Sequence, residues 1–149
     1  MFINLEKKHV DEVYNLQINN ADEFGNNIWS RLEINNLIKK SEFFSTIFLK
    51  QKKIEAFGMF FEKGNFLDLY TLFVSPNYRK LGIATSIIDS AINHCKKRSL
   101  IKIVLEVNEK NTKALNFYIG QSFIKTGRRK NYYQLGENYY DAILMEIKI

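Results

Sequence analysis

The fold of this chain is decided by the stretch Leu72-Phe73-Val74-Ser75-Pro76-Asn77-Tyr78-Arg79-Lys80-Leu81-Gly82-Ile83-Ala84-Thr85. Its first residues continue an apolar strand, which is expected to end at Pro76, the only proline in the chain, because proline cannot donate a ladder hydrogen bond. Beyond this break, an apolar stripe with the spacing of a helix packed on a sheet runs through Ala84, Ile87, Ile88, Ala91 and Cys95. The stretch therefore predicts a strand, a basic loop that contains a glycine, and a helix.

The loop from Arg79 to Thr85 has the features of an anion-binding site. Gly82 allows consecutive backbone N–H groups and the positive end of the helix dipole to converge on one point, where a pyrophosphate would be held. Arg79 and Lys80 add positive charge at the rim of this loop. In the alternative interpretation, Gly82 only permits a tight entry into a core helix, and both cations are solvated.

The composition is that of an ordinary globular protein: 149 residues, 46% hydrophobic and 26% charged, which predicts a single domain over residues 1–149. No apolar run approaches the ~20 residues that a membrane-spanning helix needs. Because Met1-Phe2-Ile3-Asn4 leads directly into charged sequence, the start does not resemble a signal peptide. The single cysteine, Cys95, lies on an apolar helical stripe, so a buried thiol and a cytoplasmic location are expected.

The formal charge of +6 favours an anionic partner, and it comes from 22 Lys and Arg against 16 Asp and Glu. The basic residues are interspersed with acidic ones and form only short clusters, whereas nucleic-acid binders gather them on one face or in one block. A nucleic-acid-binding module is therefore kept only as an alternative. The same charge would serve an anionic cofactor.

The first fifty residues predict a strand and two helices. Phe2 to Leu5 fit an edge strand, the first helix has an apolar face, and the polar segment 19–27 is expected to be a loop. The residues assigned to that apolar face are Val10, Val13, Tyr14 and Ile18, with Leu16 nearby. Ser30 and Glu33 form a capping-box pattern at the start of the second helix. Trp29, which precedes the cap, is expected to pack as a hydrophobic staple or, alternatively, to contact a substrate.

Two further strands, Thr46–Lys50 and Ile54–Phe61, lead through a turn at Lys63-Gly64-Asn65 into the central strand, which predicts an antiparallel meander. The next strand, 101–107, alternates apolar residues on one face with Lys102, Val104 and Glu106 on the other. Glu106 is therefore a carboxylate within an apolar strand. It is either a catalytic group or an ordinary surface residue paired with a cation.

Two motifs of the chain together resemble those of the GNAT acetyltransferase superfamily. They are Arg79-x-x-Gly82-x-Ala84 and Asn111-x-x-Ala114-x-x-Phe117-Tyr118. The resemblance implies an α/β (α+β) GNAT acyltransferase fold, with a mixed, mostly antiparallel central sheet and helices on both faces. It also implies that acetyl-CoA is bound by Leu72, Phe73, Val74, Arg79, Lys80, Leu81, Gly82, Ile83, Ala84, Thr85, Asn111 and Tyr118. Asn111 as a helix cap and Tyr118 as a core residue are the alternatives.

The last third of the chain is similar to the RimI-type N-terminal acetyltransferases. It contains Gly127-Arg128-Arg129-Lys130-Asn131-Tyr132-Tyr133 and then Asp141-Ala142, and Trp29-Ser30 also matches that group. The resemblance implies that Trp29, Glu106, Tyr132 and Tyr133 contact the acceptor, with both tyrosines in a loop before the last strand, and that a ribosomal protein's α-amino group is acetylated. The chain departs from the pattern at Lys130, which is inserted, and at Ser122, which replaces a glycine whose turn Gly120 is expected to take over.

The chemistry requires a base for the amine and an acid for the departing thiolate. Glu106 is the candidate base and Tyr118 the candidate acid, while the two His and one Cys provide no convincing metal cluster or nucleophile pair. His9 and His94 are expected at the surface of helices. The predicted function is transfer of an acetyl group from acetyl-CoA to a primary amine, most favourably a protein N-terminus. The alternatives are a GNAT enzyme for a polyamine, an amino sugar or an antibiotic amine, and a non-catalytic module that binds CoA or nucleic acid.

Overall fold

The computed structural model describes residues 1–149, and its helices and strands follow the predicted order with one short helix added. The strands are β1 (Phe2–Ile3), β2 (Phe43–Lys50), β3 (Lys53–Lys63), β4 (Phe66–Val74), β5 (Lys102–Asn108), β6 (Ile124–Leu135) and β7 (Asn138–Lys148). The helices are α1 (Val10–Asn19), α2 (Ala21–Phe24), α3 (Arg31–Ile38), α4 (Ile83–Arg98) and α5 (Thr112–Gly120). Single turns of 3-10 helix occur at Lys7–His9 and Pro76–Tyr78.

The strands form one 7-stranded sheet in the order β1-β2-β3-β4-β5-β7-β6. All neighbours are antiparallel except β4 and β5, which are parallel. One apolar cluster joins α1 and α3 to the first face of the sheet, and a second joins α4 and α5 to the opposite face. The expected mixed, mostly antiparallel sheet with helices on both faces is therefore confirmed.

The strand β3 carries alternate residues into the two clusters. Phe57 and Met59 belong to the cluster under α1 and α3, whereas Ala56 and Phe60 belong to the cluster under α4 and α5. Side chains alternate across a sheet, so neither face of this strand is exposed to solvent. Its sequence is therefore a nearly continuous run of apolar residues. The helix stripe at Ile87, Ile88, Ala91 and Cys95 is fully buried against this face, as predicted.

The strands β4 and β5 pair over only a short length, which opens the sheet. Their register runs from Phe66 opposite Lys102 to Asp68 opposite Val104, and no pairing follows. Beyond this point β4 continues to Val74 and β5 to Asn108 without a shared ladder. The carboxyl ends of the two strands therefore diverge and leave a gap through the sheet.

Local signals at the helix ends agree with the structure in part. Ser30 Oγ accepts a hydrogen bond from the Glu33 N–H at 3.1 Å, and the Glu33 carboxylate accepts one from the Ser30 N–H, as the capping box predicts. The turn after α5 differs from the expectation for Gly120, because Gly120 ends the helix and Ser122 itself takes the left-handed conformation, with φ 72°.

Three predictions for the first helices and the histidines are wrong. On α1 the fully buried polar residue is Gln17, while Ile18 is exposed. The segment 19–27 is not entirely a loop, because it contains α2 with a buried Phe24. The histidines, which we expected at the surface, are sheltered: His9 is buried, and His94 stacks on the Phe44 ring at 4.1 Å between centroids. No helix combines the length and apolarity needed to cross a bilayer.

Gly58 on β3 sets how closely α4 approaches the sheet. A Cβ atom at this position would lie 2.6 Å from Cγ2 of Ile87. We expect Gly58→Ala to lower the free energy of unfolding by about 1–3 kcal/mol, because the added methyl group forces α4 away from a close-packed core. Urea unfolding followed by circular dichroism measures this change.

The matched control is Gly120→Ala at the end of α5, where a Cβ atom would meet nothing within 4 Å. Alanine loses less conformational entropy than glycine on folding, so this variant should be unchanged or more stable by up to about 1 kcal/mol. Equal destabilisation of both variants would contradict the packing argument.

Candidate active site

The gap between β4 and β5 exposes backbone groups of two residues of β4. The N–H of Ser75 donates to the Glu55 carbonyl on β3 at 2.8 Å. Because hydrogen-bonding directions alternate along a strand, the backbone of Phe73 also faces β3, while Leu72 and Val74 face the gap. Among the three predicted cofactor contacts of this strand, Leu72 and Val74 therefore offer backbone groups. Phe73 instead packs its ring against Phe24 at 5.3 Å between centroids.

The loop at the start of α4 has the conformation expected of an anion site. Gly82 is the N-cap residue with φ 82°, and a Cβ atom there would meet nothing within 4 Å, so the backbone angle, not space, explains the glycine. Lys80 also has positive φ, and its side chain is exposed without an ionic partner. The first amides of this 16-residue helix are unpaired by helix geometry and lie at the positive end of its dipole.

The other predicted loop residues differ in exposure. Leu81 is exposed, Ile83 is buried, and Ala84 is partly buried against the core cluster. Thr85 accepts a hydrogen bond at Oγ1 from Nε2 of Gln121 at 3.0 Å. This bond joins the first turn of α4 to the end of α5, so the two helices border the gap as one unit.

Arg79 is held by protein groups on both sides of its guanidinium. Its Nε donates to the Val74 carbonyl at 2.8 Å, and its Nη2 contacts the Glu23 carboxylate at 2.7 Å. In this structure the side chain is directed to α2 and the end of β4. The sequence had suggested a free cation at the rim of the loop, which describes Lys80 better than Arg79.

Asn111 and Tyr118 lie on α5, at the N-cap and on the buried face. Asn111 Oδ1 accepts from the Ala114 N–H at 3.2 Å, so the capping role is present. The Tyr118 ring packs edge-on against Phe117 and Phe123 at 5.3 and 5.5 Å between centroids. Burial raises the pKa of the Tyr118 phenol. The protonated phenol is thus a potential proton donor across the physiological pH range.

Glu106 lies on the other face of the sheet from Tyr118. Its neighbours Leu105 and Val107 are buried in the α4 and α5 cluster, so its own side chain points to the α1 and α3 face. Arg129 Nε lies 2.9 Å from Glu106 Oε1. The sequence did not identify this partner, because Arg129 is 23 residues away and reaches Glu106 only through the pairing of β5, β7 and β6.

Tyr132 and Tyr133 are not in a loop, contrary to the prediction, but in β6, which forms a long hairpin with β7. The prediction was wrong because the register shifts between Arg129 and Tyr133, where β6 carries extra residues and Asn131 has φ 53°. The inserted Lys130 lies within this irregular segment. Bulges of this kind redirect side chains, which allows Tyr132 to approach Glu106.

Asp141 organises the bulge. Its carboxylate accepts from the Asn131 N–H at 2.9 Å and from Arg128 Nη1 at 2.7 Å. Arg128 also donates to Glu109 at 2.8 Å, which fixes the hairpin to the end of β5. The Arg128 guanidinium, followed by the Asn131 amide, lowers the pKa of Asp141. This network explains why two arginines and an aspartate accompany the tyrosines in the sequence.

The two tyrosines respond to the charge of Glu106. That charge, together with partial burial and a hydrogen bond to the carboxylate, raises the pKa of Tyr132. Burial, and then the charge of Glu106, raises the pKa of Tyr133 to about 12. Both phenols therefore remain protonated at neutral pH and can donate hydrogen bonds beside the candidate base.

The cleft around Glu106 is bounded on its far side by the segment before α3. Trp29 stacks on Tyr70 at 5.1 Å between ring centroids. The buried Gln17 holds the Trp29 backbone, since its Oε1 accepts from the Trp29 N–H at 2.8 Å and its Nε2 donates to the Trp29 carbonyl at 3.1 Å. The signal for Gln17 was available, because it stands at helical spacing from Val10 and Val13 on the buried face.

The hairpin and this segment touch each other. Asn26 Nδ2 donates to the Gln134 carbonyl at 3.0 Å, which joins the segment before α3 to the β6–β7 hairpin. A groove of about 440 Å³ lies elsewhere, between the β1–β2 edge and the start of α4, and it includes neither Glu106 nor Tyr118. Nowhere do three or more His, Cys, Asp or Glu side chains converge as metal ligands.

Comparison with known proteins agrees with this geometry. The model of the Acetyltransferase (GNAT) family matches residues 10–123. The [ribosomal protein bS18]-alanine N-acetyltransferase of Escherichia coli strain K12 is 33% identical over 86 residues, which are 56% of this chain and 58% of that protein. The match thus spans less than two thirds of the length of this relative.

Two solved structures superpose on the whole chain. The ribosomal-protein-S18-alanine N-acetyltransferase of Escherichia coli has a TM-score of 0.86 at 21% identity, covering 100% of this chain and 93% of that one. NAA60 of Arabidopsis thaliana, solved with acetyl-CoA, has a TM-score of 0.84 at 15% identity, covering 100% and 98%. These structures establish the fold, and since the family model matches well over half of the residues, the chain belongs to the GNAT acetyltransferase family.

Proposed function

We propose that this protein transfers an acetyl group from acetyl-CoA to the α-amino group of a protein N-terminus. The observation that carries the proposal is the gap between β4 and β5, with Tyr118 on one face of the sheet and Glu106 on the other. A thioester held along the α4 and α5 face reaches an amine on the α1 and α3 face only through such a gap. The expected cytoplasmic location belongs to this proposal.

Different residues would bind different parts of acetyl-CoA. The amides at the start of α4, with Gly82 as N-cap and Lys80 beside it, would hold the pyrophosphate. Leu72 and the N–H of Val74 offer backbone groups along the gap to the pantetheine arm, since the Val74 carbonyl already accepts from Arg79. Asn111 fixes the start of α5 and so positions Tyr118, whose ring closes the apolar side of the gap. When bound, acetyl-CoA supplies the activated acyl group.

The proton transfers fall to Glu106 and Tyr118. Glu106 takes a proton from the acceptor ammonium, directly or through water, and frees the nucleophilic lone pair. Tyr118 gives its proton to the departing thiolate, because its buried phenol remains protonated at neutral pH. Their positions on opposite faces place the acid on the side of the thioester sulfur and the base on the side of the amine.

An α-amine suits this site better than a lysine side chain. An α-amino group has a pKa of ~7.7–8.0 and a lysine amine one of ~10.4, so the neutral fraction at pH 7 differs by about two to three powers of ten. Removing the proton from a lysine ammonium asks more of the enzyme than one partly exposed carboxylate, already paired with Arg129, readily provides. The segment 25–29 and the hairpin, joined by the Asn26 bond to Gln134, would flank an extended peptide end. The Escherichia coli relative is named as a [ribosomal protein bS18]-alanine N-acetyltransferase.

A small polyamine is the second candidate acceptor. The charges of Glu106 and Asp68 both raise the pKa of Tyr132, after the larger effect of Glu106. Two carboxylates therefore lie near one phenol, an arrangement that also suits a flexible dication. Asp68 is bound to Lys63 at 2.8 Å, so a dication would have to displace this lysine, which favours the peptide.

The first test concerns the cofactor loop. Acetyl-CoA at a hundredfold excess over Kd should stabilise the protein by ~2.7 kcal/mol, and Gly82→Val should abolish the increase in Tm, because valine does not adopt the backbone angle that directs the amides to one point. Differential scanning fluorimetry measures the shift. Gly64→Val is the matched control, since Gly64 also has positive φ (59°) and open space around it, in the β3–β4 turn. This control should lose stability but keep the shift, and loss of the shift in both variants would contradict the assignment of the loop.

The second test concerns the acid and the base. Tyr118→Phe should lower kcat about 10²–10⁴-fold with acetyl-CoA binding retained, because only the proton donor is lost. Glu106→Gln should lower the rate at neutral pH and recover partly at high pH, where the amine loses its proton unaided. Release of CoA thiol can be followed directly, since burial raises the pKa of the only cysteine, Cys95, to about 11 and keeps it unreactive.

Glu146→Gln is the control for the base. Glu146 lies opposite Val104 on the neighbouring strand and is likewise ion-paired, with Lys102 at 3.1 Å. It should retain full activity. Wild-type rates in both the Tyr118 and Glu106 variants would assign these residues to structure alone.

The third test concerns the acceptor. We expect a peptide with a free N-terminus to be acetylated in preference both to an N-terminally blocked peptide with an internal lysine and to spermidine. Tyr132→Ala should raise the KM of the peptide, because it removes a phenol beside Glu106, while Tyr139→Ala, at an exposed position of the same hairpin, should change it less than twofold. Preference for spermidine would favour the second candidate, and preference for the blocked peptide would make lysine the acceptor.

A further inference from the structure

Arg79 makes contacts that a cofactor ligand would not need. Its planar guanidinium is used twice, with Nε on the Val74 carbonyl at 2.8 Å and Nη2 on Glu23 at 2.7 Å. The Val74 carbonyl faces the gap, where β5 no longer supplies a ladder partner. An unpaired carbonyl at such a site is costly. Arg79 therefore satisfies the open end of β4 and at the same time binds it to α2.

Lys80 is the cation of this loop that is available to bind an anion. It follows Arg79 directly, is exposed, and has no ion pair or side-chain hydrogen bond in the structure. Its positive φ of 60° directs the chain into the turn before Gly82. The two adjacent cations are thus unequal, because Lys80 is free for a phosphate and Arg79 is already bound on both sides.

The Glu23 end of this contact leads to the wall of the acceptor cleft. Next to Glu23, Phe24 packs on Phe57 and Phe73 at 6.2 and 5.3 Å between ring centroids. Gly25 then turns the chain with φ 54°, and a Cβ atom there would lie 3.6 Å from Leu135 of the hairpin.

Asn26 continues this path with its bond to the Gln134 carbonyl, and Trp29 follows three residues later. A continuous series of contacts therefore connects the open end of β4 with α2, the segment 25–29 and the β6–β7 hairpin.

We propose that Arg79 is a positioning residue for the acceptor and not a ligand of the cofactor phosphates. It acts on the acceptor site through Glu23 and the segment 25–29. This inference rests on the proposed acetyl transfer to a peptide amine. Arg79 fixes the end of β4 on the cofactor side and the wall of the cleft on the acceptor side with one rigid group. Lys80 and the amides of α4 carry the affinity for the pyrophosphate.

Arginine and lysine differ at a site of this kind, which makes the proposal testable. A lysine keeps the positive charge but has one compact head group, so it cannot bind the Val74 carbonyl and Glu23 in the same fork geometry. We expect Arg79→Lys and Glu23→Gln each to raise the KM of an N-terminal peptide roughly tenfold, since small displacements of positioning groups have large effects. The Kd of acetyl-CoA, measured by calorimetry without acceptor, should stay within about twofold in both variants.

Three comparisons complete the design. Asp22→Asn removes a charge from the same short helix, where Asp22 is exposed and unpaired, and should leave both constants unchanged. Lys80→Ala should raise the Kd of acetyl-CoA severalfold with the peptide KM unaltered. The double variant Arg79→Lys, Glu23→Gln should be no worse than either single variant, because one contact is lost only once.

The single tryptophan of the chain, Trp29, gives a signal that needs no acceptor. Acrylamide should quench its fluorescence more strongly in Arg79→Lys and Glu23→Gln than in the wild type or Asp22→Asn, since the segment before it is released. If the wild type acetylates no peptide, the proposed function fails, and quenching and acetyl-CoA affinity still decide the role of Arg79. Unchanged quenching and peptide KM in Glu23→Gln, or acetyl-CoA binding that weakens more than tenfold in Arg79→Gln and is restored in Arg79→Lys, would overturn the proposal.

Discussion

The structure depends on the loss of hydrogen bonding between β4 and β5 after Asp68 and Val104. A sheet that opens in its middle exposes N–H and C=O groups, and such groups need partners. On β4, Pro76 ends the ladder without needing a donor, and the Val74 carbonyl is bound by Arg79. The helices on either side then close around the opening, with α4 and α5 joined by the bond from Gln121 to Thr85. The same opening that costs backbone pairing provides a passage between the two faces of the sheet.

The fold was largely predictable because its signals are local. The proline after an apolar strand, the helical stripe from Ile87 to Cys95 and the Ser30–Glu33 capping box each depend on residues within one or two turns of each other. These patterns predicted the order of helices and strands along the chain, and that order is the one the GNAT fold has. The short helix α2 was missed, since four residues with one buried aromatic carry too little periodicity to be distinguished from a loop.

Individual residues of the candidate site could be predicted from the sequence, but the contacts between them could not. Glu106 and Tyr118 could be selected from their strand and helix, but not the pairing of Glu106 with Arg129, which depends on the register of three strands. The bulge around Asn131 changes that register and moves Tyr132 from a supposed loop into a strand. The burial of Gln17 was not predicted for a different reason. Glutamine side chains are usually exposed, and only the two hydrogen bonds to the Trp29 backbone explain why this one is buried.

The charge of the cleft resolves an apparent conflict between a basic protein and a cationic acceptor. The formal charge of +6 describes the whole molecule, whereas screening limits the reach of exposed charges to about 8–10 Å at physiological ionic strength. Three cations on the face that carries Glu106 are ion-paired: Lys63 with Asp68, Lys102 with Glu146 and Arg129 with Glu106. These three pairs add no net charge to the surroundings of Glu106. An incoming ammonium that takes the place of Arg129 at Glu106 exchanges one ion pair for another, so the excess of lysines elsewhere has little influence on which amine binds.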